Sequence, residues 1–343
     1  MIVAFHSLAF FLEAPLLAWS ERVRVRWFSA ASLAVVAASA FAGALLPRGW
    51  SLLLALAVYG PASGCSLSVA EGLLVEAEPA ARERTMARLS LAANAGDLAV
   101  PLLLAGLSWC GLGWRAGFTV AGVVAALLAA AHAGSRSLDR TSGPGEDPEG
   151  PTPTIRDALR TALSTRPLLG WSFACALTGL LDEVLVAFSA VHLHAIGATA
   201  SERSWALAAW VVGGFVGLAV LERLVTPASV RRVLLGASVA TAVEILGLAA
   251  TRSPHVGTCV LLLLGVTGSA LHPLAKARAY AALPDRPALV NAVASALLPF
   301  DMAAPLVLGV VAAYAGSAWA IVGLLVAPAG VAIAAWRLRA PIT

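Results

Sequence analysis

Charged side chains are scarce in this sequence. Only 12% of its 343 residues are Asp, Glu, Lys or Arg, and Lys276 is its single lysine, whereas soluble domains carry about 25% charged residues. Hydrophobic residues make up 59% of the chain, and the mean hydropathy is +0.85. These values exclude a soluble globular domain and predict a chain whose solvent is largely the hydrocarbon of a membrane.

Sequence motifs for metal, redox or nucleotide chemistry are also missing. The four cysteines are isolated, with no CxxC or Cys/His spacing, so neither a disulfide framework nor a metal site is expected. The sequence has no nucleophile motif and no phosphate-binding loop, which argues against an enzyme, a bound cofactor and an ATP-driven pump. The net charge of +4 comes from basic residues in short gaps between apolar runs, so nucleic acid is not an expected partner.

Eleven apolar stretches are long enough, at about 20 residues each, to cross a bilayer as helices. The stretches are continuous and do not alternate with polar residues, which favours helices over a β-barrel. The predicted fold class is therefore all-α and polytopic. The expected spans lie at roughly 1–20, 28–46, 51–75, 90–111, 115–133, 168–194, 204–221, 233–250, 256–281, 289–314 and 318–337.

The arginines orient these spans. Most of the 23 basic residues follow the first, third, fifth, seventh or ninth span, or lie near the C-terminus. Because basic residues are enriched in cytoplasmic loops, these gaps and the C-terminus are expected inside, and Met1 outside. The predicted location is a bacterial-type inner (plasma) membrane, crossed many times.

Residues 134–167 form the longest hydrophilic stretch and divide the chain. Their first part is rich in Gly, Pro and acidic residues, as flexible linkers are. Their second part, from Thr154 to Leu163, is either a short amphipathic surface helix or a plain connector. The predicted domains are an N-terminal helix bundle over 1–133, this cytoplasmic linker, and a C-terminal bundle over 168–343.

The two bundles carry an internal repeat. Three pairs of residues recur at an offset of 204, namely Gly64 and Gly268, Asp97 and Asp301, and Pro101 and Pro305. A second match, at an offset of 201, aligns Glu21-Arg22 with Glu222-Arg223. Spans 1–5 therefore correspond to spans 7–11 in the same orientation, and span 6 has no counterpart.

Two parallel six-helix halves joined by a cytoplasmic linker resemble the architecture of the major facilitator superfamily. The segment Glu21-Arg22-Val23-Arg24-Val25-Arg26 is similar to that family's acidic and basic loop between helices 2 and 3, and Glu222-Arg223 is similar to the second copy of that loop. The resemblance implies that residues 1–133 match family helices 2–6 and residues 168–343 match helices 7–12. The first family helix is then expected to be missing.

This resemblance leads to two hypotheses of function. The first is a secondary active transporter that moves a small solute across the inner membrane by alternating access, with coupling to protons. The second, motivated by the missing helix, is a non-transporting membrane protein on the same scaffold, either a sensor or a degenerate carrier. The expected partners are the lipid bilayer, a small-molecule cargo and protons, and the chain is expected to be a monomer.

Ionisable side chains inside the spans are the candidates for proton coupling or cargo binding, because a charge at bilayer depth is costly unless it faces a cavity or a partner. Asp182 and Glu183 are adjacent in mid-span, in the segment that matches family helix 7. Two close carboxylates in a low dielectric raise at least one pKa, as a proton carrier requires. A structural hydrogen bond between helices is the alternative.

Spans 3 and 9 match family helices that line the cavity, and they supply Glu71, His272 and Lys276. His272 and Lys276 are four residues apart and share one helix face. A charge pair between Glu71 and either of them is predicted to open and close, although Lys276 could equally extend to the cytoplasmic interface. Glu13 and Glu244 are further candidates for a position facing the cavity.

Asp97 and Asp301 are symmetric and lie about two turns from the cytoplasmic starts of their helices. Together with arginines of the basic loops, such as Arg22 or Arg223, they are predicted to form a gating latch. Glu21 and Glu222, beside those arginines, belong to the same group of latch candidates. Helix packing alone is the alternative explanation for Asp97 and Asp301.

Overall fold

The structure is a computed structural model that describes residues 12–46, 49–138, 160 and 163–338. Residues 1–11, which form half of the first predicted span, lie outside the described residues. Most of the surface helix predicted from Thr154 also lies outside them. The backbone of Glu183 and Asp301 is described, but their side chains are not.

The described residues are almost entirely helical, and no strand occurs among them. Short 3-10 turns lie at Pro79–Ala81 and Arg136–Leu138, and one turn of π-helix spans Leu180–Val184. The α-helices are α1 (Glu13–Ser20), α2 (Val25–Leu45), α3 (Trp50–Ala77), α4 (Arg82–Trp109), α5 (Trp114–Gly134), α6 (Arg166–Gly179), α7 (Leu185–Ala195), α8 (Ala200–Leu224), α9 (Val230–Ala250), α10 (Pro254–Gly268), α11 (Leu271–Ala282), α12 (Pro287–Ala296), α13 (Leu298–Ala315), α14 (Ser317–Gly323) and α15 (Val326–Arg337).

The predicted all-α, polytopic fold is confirmed. Within the described part of the chain, nine helical stretches are long and apolar enough to cross a membrane. Two shorter apolar helices, Pro287–Ala296 and Ala303–Ala315, coincide with the tenth predicted span. The protein is therefore a multi-pass membrane protein.

Several predicted spans are interrupted helices. The predicted span 256–281 consists of α10 and α11, which are separated after Gly268. At this break the hydroxyl of Ser269 donates to the carbonyl of Val266 at 3.1 Å, an alternative to the regular helix bond. Pro273 lies in the first turn of α11, where its missing N–H costs nothing.

One compact unit comprises Met1–Ala77, Ala95–Thr165 and Leu283–Leu298. In it, α2 packs along both α3 and α5, and α12 packs along α1 and α3. Two reciprocal contacts join α2 to α5, because the ring of Phe118 lies against Gly43 and the ring of Phe41 lies against Gly122. Small residues opposite large rings allow the two helices to interlock without a hydrophobic driving force from water.

The other compact unit comprises Glu78–Asn94, Arg166–Ala282 and Pro299–Thr343. Its most extensive helix contact joins α8 to α10. A Cβ atom at Gly213 or Gly217 would overlap a backbone carbonyl of α10, so these glycines bring the two backbones into direct contact. A capping box starts α8, since Thr199 and Glu202 each accept from the backbone N–H of the other.

The two units exchange one segment each relative to the two bundles predicted from sequence. Residues 78–94 pack in the unit that contains most of the C-terminal bundle, and residues 283–298 pack in the unit that contains most of the N-terminal bundle. At the repeat offset of 204 residues, the first segment falls on the second. The exchange is therefore symmetric. The domain boundaries predicted at 133 and 168 divide the two copies of the sequence repeat, and they stay a prediction.

Two hydrogen bonds agree with the internal repeat. Arg26 Nε donates to the carbonyl of Ala133 at 2.6 Å in the first unit. Arg231 Nε donates to the carbonyl of Ala335 at 3.2 Å in the second unit. In both units an arginine at the start of one helix thus satisfies a carbonyl at the end of another, where helix carbonyls lack backbone partners.

Candidate functional site

The exchanged segment 283–298 brings polar contacts to the first unit. Asn291 on α12 is only 2% exposed, and its Nδ2 donates to the carbonyl of Ser68 on α3 at 2.9 Å. A Cβ atom at Gly72 would lie 3.3 Å from the Cβ of Pro287, so the start of α12 contacts the C-terminal half of α3. Since a buried amide is costly without a partner, the Asn291 bond fixes how α12 seats on α3.

Glu21 lies in the same region, directly after α1. It is half-buried, and its Oε1 is buried without a hydrogen bond among the described residues. Burial raises the pKa of the Glu21 carboxyl from 4.5 to about 7, and the opposing charges of Arg286 and Arg22 lower it only in part. Arg286 immediately precedes α12. Glu21 therefore lies close to the start of the helix in the exchanged segment 283–298.

The exchanged segment 78–94 makes the repeat-related contacts in the second unit. Arg88 Nε lies 2.9 Å from Glu222 Oε1 at the end of α8, in a charge-assisted hydrogen bond. Arg84 Nε donates to the carbonyl of Val225 at 3.3 Å, just beyond the same helix end. Cations at the C-terminal end of a helix also interact favourably with its dipole.

A second ion pair ties this segment to α11. Arg278 Nη2 lies 3.9 Å from Glu83 Oε1, and both side chains are largely buried, with relative exposures of 19% and 10%. Arg278 also donates to the carbonyl of Pro227 at 3.1 Å. The start of α4 is therefore attached to two places in the second unit.

The structure brings together only part of the predicted latch. Glu21 and Glu222 both lie at exchanged contacts, opposite Arg286 and Arg88, two arginines that the sequence analysis did not single out. Their signal in the sequence is that both lie near the starts of repeat-related helices. Arg22 and Arg223 directly follow the two acids in the sequence. The positive charge of Arg22 offsets a small part of the rise that burial causes in the pKa of Glu21.

The role of Asp97 and Asp301 in the gating latch stays a prediction. Asp97 is exposed on α4. The side chain of Asp301 is outside the described residues. A latch that uses either aspartate is therefore a matter for experiment.

In the first unit, the candidates Glu13 and Glu71 are both buried, at 4% and 7% exposure. Ser68 Oγ donates to Glu13 Oε1 at 3.3 Å, from α3 to α1. A Cβ atom at Gly64 would overlap the Glu13 carboxyl group, so Gly64 provides the space that the carboxyl occupies. The acid, the hydroxyl and the glycine form a compact polar contact inside an apolar unit.

In the second unit, the candidate His272 meets two side chains of α6. Its Nδ1 lies 3.0 Å from Thr178 Oγ1 and 3.5 Å from Cys175 Sγ. Thr178 also donates to the carbonyl of Cys175, so its hydroxyl proton is occupied and its oxygen can accept from a protonated Nδ1. Lys276 follows His272 by one turn on α11 and is half-buried.

Asp182 and Glu183 lie in the π-turn between α6 and α7. The N–H of Leu185 donates to the carbonyl of Leu180, five residues back, which adds one residue to that turn. Asp182 is exposed, within a stretch that is otherwise long and apolar enough to span the membrane. Single π-turns inside α-helices occur frequently at functional sites, and this one coincides with the acidic pair.

Glu244 belongs to a polar cluster between α9 and α10. Thr267 Oγ1 donates to Glu244 Oε2 at 2.5 Å, and Thr241 Oγ1 lies 3.2 Å from Thr267 Oγ1. A carboxylate and two hydroxyls thus satisfy one another within the second unit. The role of Glu244 in cargo binding or proton coupling stays a prediction.

Comparison with known families gives a match to the model of the Major Facilitator Superfamily over residues 1–182, more than half of the chain. No curated protein matches.

Solved structures share the fold at low sequence identity. The human organic anion transporter MFSD10 (TETRAN) is 19% identical with a TM-score of 0.73, over 97% of this chain and 82% of that one. The E. coli fucose:proton symporter FucP is 14% identical with a TM-score of 0.68, over 98% and 90%. The proton:xylose symporter XylE is 12% identical with a TM-score of 0.68, over 98% and 85%.

Proposed function

Because this chain belongs to the major facilitator superfamily of membrane transporters, we propose that it moves a small solute across the inner membrane by alternating access, coupled to protons. The observation that carries the proposal is the symmetric exchange of residues 78–94 and 283–298. Each segment joins one half of the sequence to the other near the arginine-rich ends of the spans. Contacts of this kind can break and reform as two halves rock around a midplane site.

In this proposal the exchanged contacts are the cytoplasmic gate. The Arg88–Glu222 pair is partly exposed, so its formation or loss costs little and suits a contact that must open in every cycle. Glu21 is half-buried and interacts electrostatically with Arg286. These two residues form the second half of the gate. Alternating access requires both halves of the gate to release together.

Proton coupling is assigned to the acids within the spans. The first candidates are Asp182 and Glu183, because these two adjacent acidic residues belong to a π-turn, a local irregularity of a spanning helix. His272 with Thr178 and Cys175 supplies a titratable group on the facing helix α11. Lys276, Glu71, Glu13 and Glu244 remain candidates for cargo binding or for charge compensation.

The arginine distribution supports a cytoplasmic C-terminus in a bacterial-type inner membrane. The proton symporters among the solved structures support protons and small solutes as partners. Many acids in the spans favour a neutral or cationic solute over an anion. The proposed functional form is the monomer.

The experiment is solute flux into proteoliposomes under an imposed pH gradient, with a panel of neutral and cationic solutes and a pH-sensitive dye inside. We expect one solute to carry protons with it, and we expect Asp182→Asn to abolish the proton signal. Glu202→Gln is the matched control, because Gln preserves the capping box and Glu202 lies at the start of a different helix, α8. Absence of any gradient-dependent flux across the panel would favour the non-transporting alternative.

A further inference from the structure

An apolar groove runs along the first unit between α1, α2 and α3. It encloses about 530 Å³, within the range of ~300–1,000 Å³ typical of ligand sites. Its walls include Leu12, Leu16 and Trp19 from one side and Val58 and Ala62 from the other. All but Ala62 are well exposed, although they face one another across a single crevice.

The repeat-related position in the second unit is closed. At the repeat offsets, Leu12 and Leu16 correspond to Gly213 and Gly217, the two glycines that press α8 against α10. Val58 and Ala62 correspond to Leu262 and Val266, whose carbonyls those glycines contact. The first unit thus has leucines where the second has glycines, and its helices are held apart there.

Positive charge lies at one end of the groove. Trp27 lines this end, and the guanidinium of Arg26 lies over its ring, 4.6 Å from the centroid. Arg24 is exposed and is the N-cap of α2, whose first N–H groups and dipole favour an anion at the same end. The groove is therefore apolar along its length and positively charged at one end, where the loop between α1 and α2 lies.

We propose that this groove binds one acyl chain of an anionic phospholipid, with the phosphate of the lipid at Arg24 and Arg26. Lipid hydrocarbon matches the apolar walls, and a tryptophan at the mouth suits the boundary between acyl chain and headgroup. Basic residues next to a membrane surface recognise anionic lipid headgroups. The groove is lined by residues on both sides of Glu21 in the sequence, Trp19 and Val23, but retention of a lipid does not depend on transport.

The test is native mass spectrometry of the full chain, delipidated in detergent and then exposed to equal amounts of phosphatidylglycerol and phosphatidylcholine. The wild type is expected to retain phosphatidylglycerol in preference. Ala31→Trp fills the groove from an exposed position of α2 and is expected to abolish retention. Arg24→Gln is expected to weaken it about fivefold, the effect of one basic residue near an anionic surface.

Two matched controls separate the groove from general effects. Ala126→Trp adds the same ring at an exposed position of α5 outside the groove, and it is expected to retain the lipid. Arg232→Gln removes an exposed arginine at the start of α9, the repeat-related helix, and is expected to have no effect. Equal retention by Ala31→Trp and Ala126→Trp, equal binding of the two lipids, or a wild type that retains neither would overturn the proposal.

Discussion

Glu21 and Glu222 are the same residue type at repeat-related positions, yet their surroundings differ. Glu222 forms a direct ion pair with a well-exposed arginine. Glu21 is half-buried, and one of its oxygens lacks a hydrogen bond among the described residues. Glu21, a half-buried carboxyl without adequate partners, gains a proton near neutrality, so its half of the proposed gate responds to pH in this range.

Replacement of Glu21 by Gln should flatten the dependence of stability on pH. The pKa of Glu21 is raised from 4.5 to about 7, so between these values the native chain holds a proton that the unfolded chain has lost. The free energy of unfolding then falls as pH rises through this window. Thermal unfolding in detergent at pH 5 and pH 7.5 should show a smaller loss for Glu21→Gln than for the wild type.

The control for this measurement is Glu222→Gln, which removes one carboxyl charge at the repeat-related position. If the wild type and Glu21→Gln lose equal stability between the two pH values, Glu21 does not hold the extra proton.

Addition of a methyl group at Gly64 should be destabilising because it displaces the Glu13 carboxyl. Overpacking of this kind costs roughly 1–3 kcal/mol. Thermal or denaturant unfolding of Gly64→Ala should show this loss, and the double variant Glu13→Ala/Gly64→Ala should recover part of it. Gly96→Ala is the matched control, since no heavy atom beyond the adjacent backbone of its own helix lies within 4 Å of the added Cβ and the helix gains propensity.

If the two substitutions change the free energy of unfolding additively in the double variant, the Glu13 carboxyl and the added methyl group at position 64 do not compete for the same space.

The partner of Gly64 illustrates a limit of sequence analysis at this scale. The sequence identified Glu13 as an acid within a span and Gly64 as a repeated residue. It could not join the two, because their contact depends on the rotation of α1 about its axis relative to α3. A uniformly apolar helix carries no amphipathic pattern from which that rotation could be predicted.

Among the elements, the interruption between α6 and α7 is the least predictable from sequence. The sequence predicts one continuous span over 168–194 with Asp182 and Glu183 in its middle, and the helical character is confirmed. A π-turn differs from an α-turn by a single hydrogen-bond register, and the apolar residues around it are compatible with either. The acidic pair was the only signal, since two adjacent acids are unexpected in a spanning helix.

The start of α4 should loosen when its ion pair is removed. Arg88→Gln and Glu222→Gln each break the 2.9 Å contact that ties residues 78–94 to α8. Both are expected to speed hydrogen–deuterium exchange in a peptide covering 78–94, and the double variant is expected to add nothing further. Purified protein in nanodiscs, digested after exchange, gives this measurement.

The matched control is Arg223→Gln, which removes an exposed charge next to Glu222. Additive effects of Arg88→Gln and Glu222→Gln, or an equal effect of Arg223→Gln, would contradict the pairing.

Over the whole molecule, fold class was the most predictable property. Length and apolar runs predict an all-α, polytopic membrane protein, and the helices and the family match confirm this fold. The predicted latch paired the starts of these helices with the basic loops, but the sequence did not predict that residues 78–94 and 283–298 pack as whole segments with the opposite half. Sequence repeats report which helices are equivalent, but the packing of a segment against the other half depends on the conformational state of the protein.

A disulfide across the exchanged contact should join the two halves of the sequence. Gly72 and Pro287 lie close enough for a cysteine pair, since a Cβ on Gly72 would lie 3.3 Å from that of Pro287 and disulfides need about 3.5–4.5 Å. In a background without the native cysteines, oxidised Gly72→Cys/Pro287→Cys should run as one band after proteolysis at a site inserted within 139–159. Reduction should separate the fragments.

The single variant Gly72→Cys is the control and should separate with or without oxidant. In the transport assay, the oxidised pair is expected to lose activity and to regain it on reduction. Full transport by the cross-linked chain would show that this contact does not open during the cycle.

The exchange of segments also fixes the order in which the chain can mature during synthesis. The bond from Arg26 to the carbonyl of Ala133 joins residues that both emerge before the second half is translated. The bond from Asn291 to Ser68 spans 223 residues and has to wait until α12 leaves the ribosome. The first unit is thus inserted early but completed late. Until α12 arrives, the carbonyl of Ser68 lacks the donor that Asn291 later supplies.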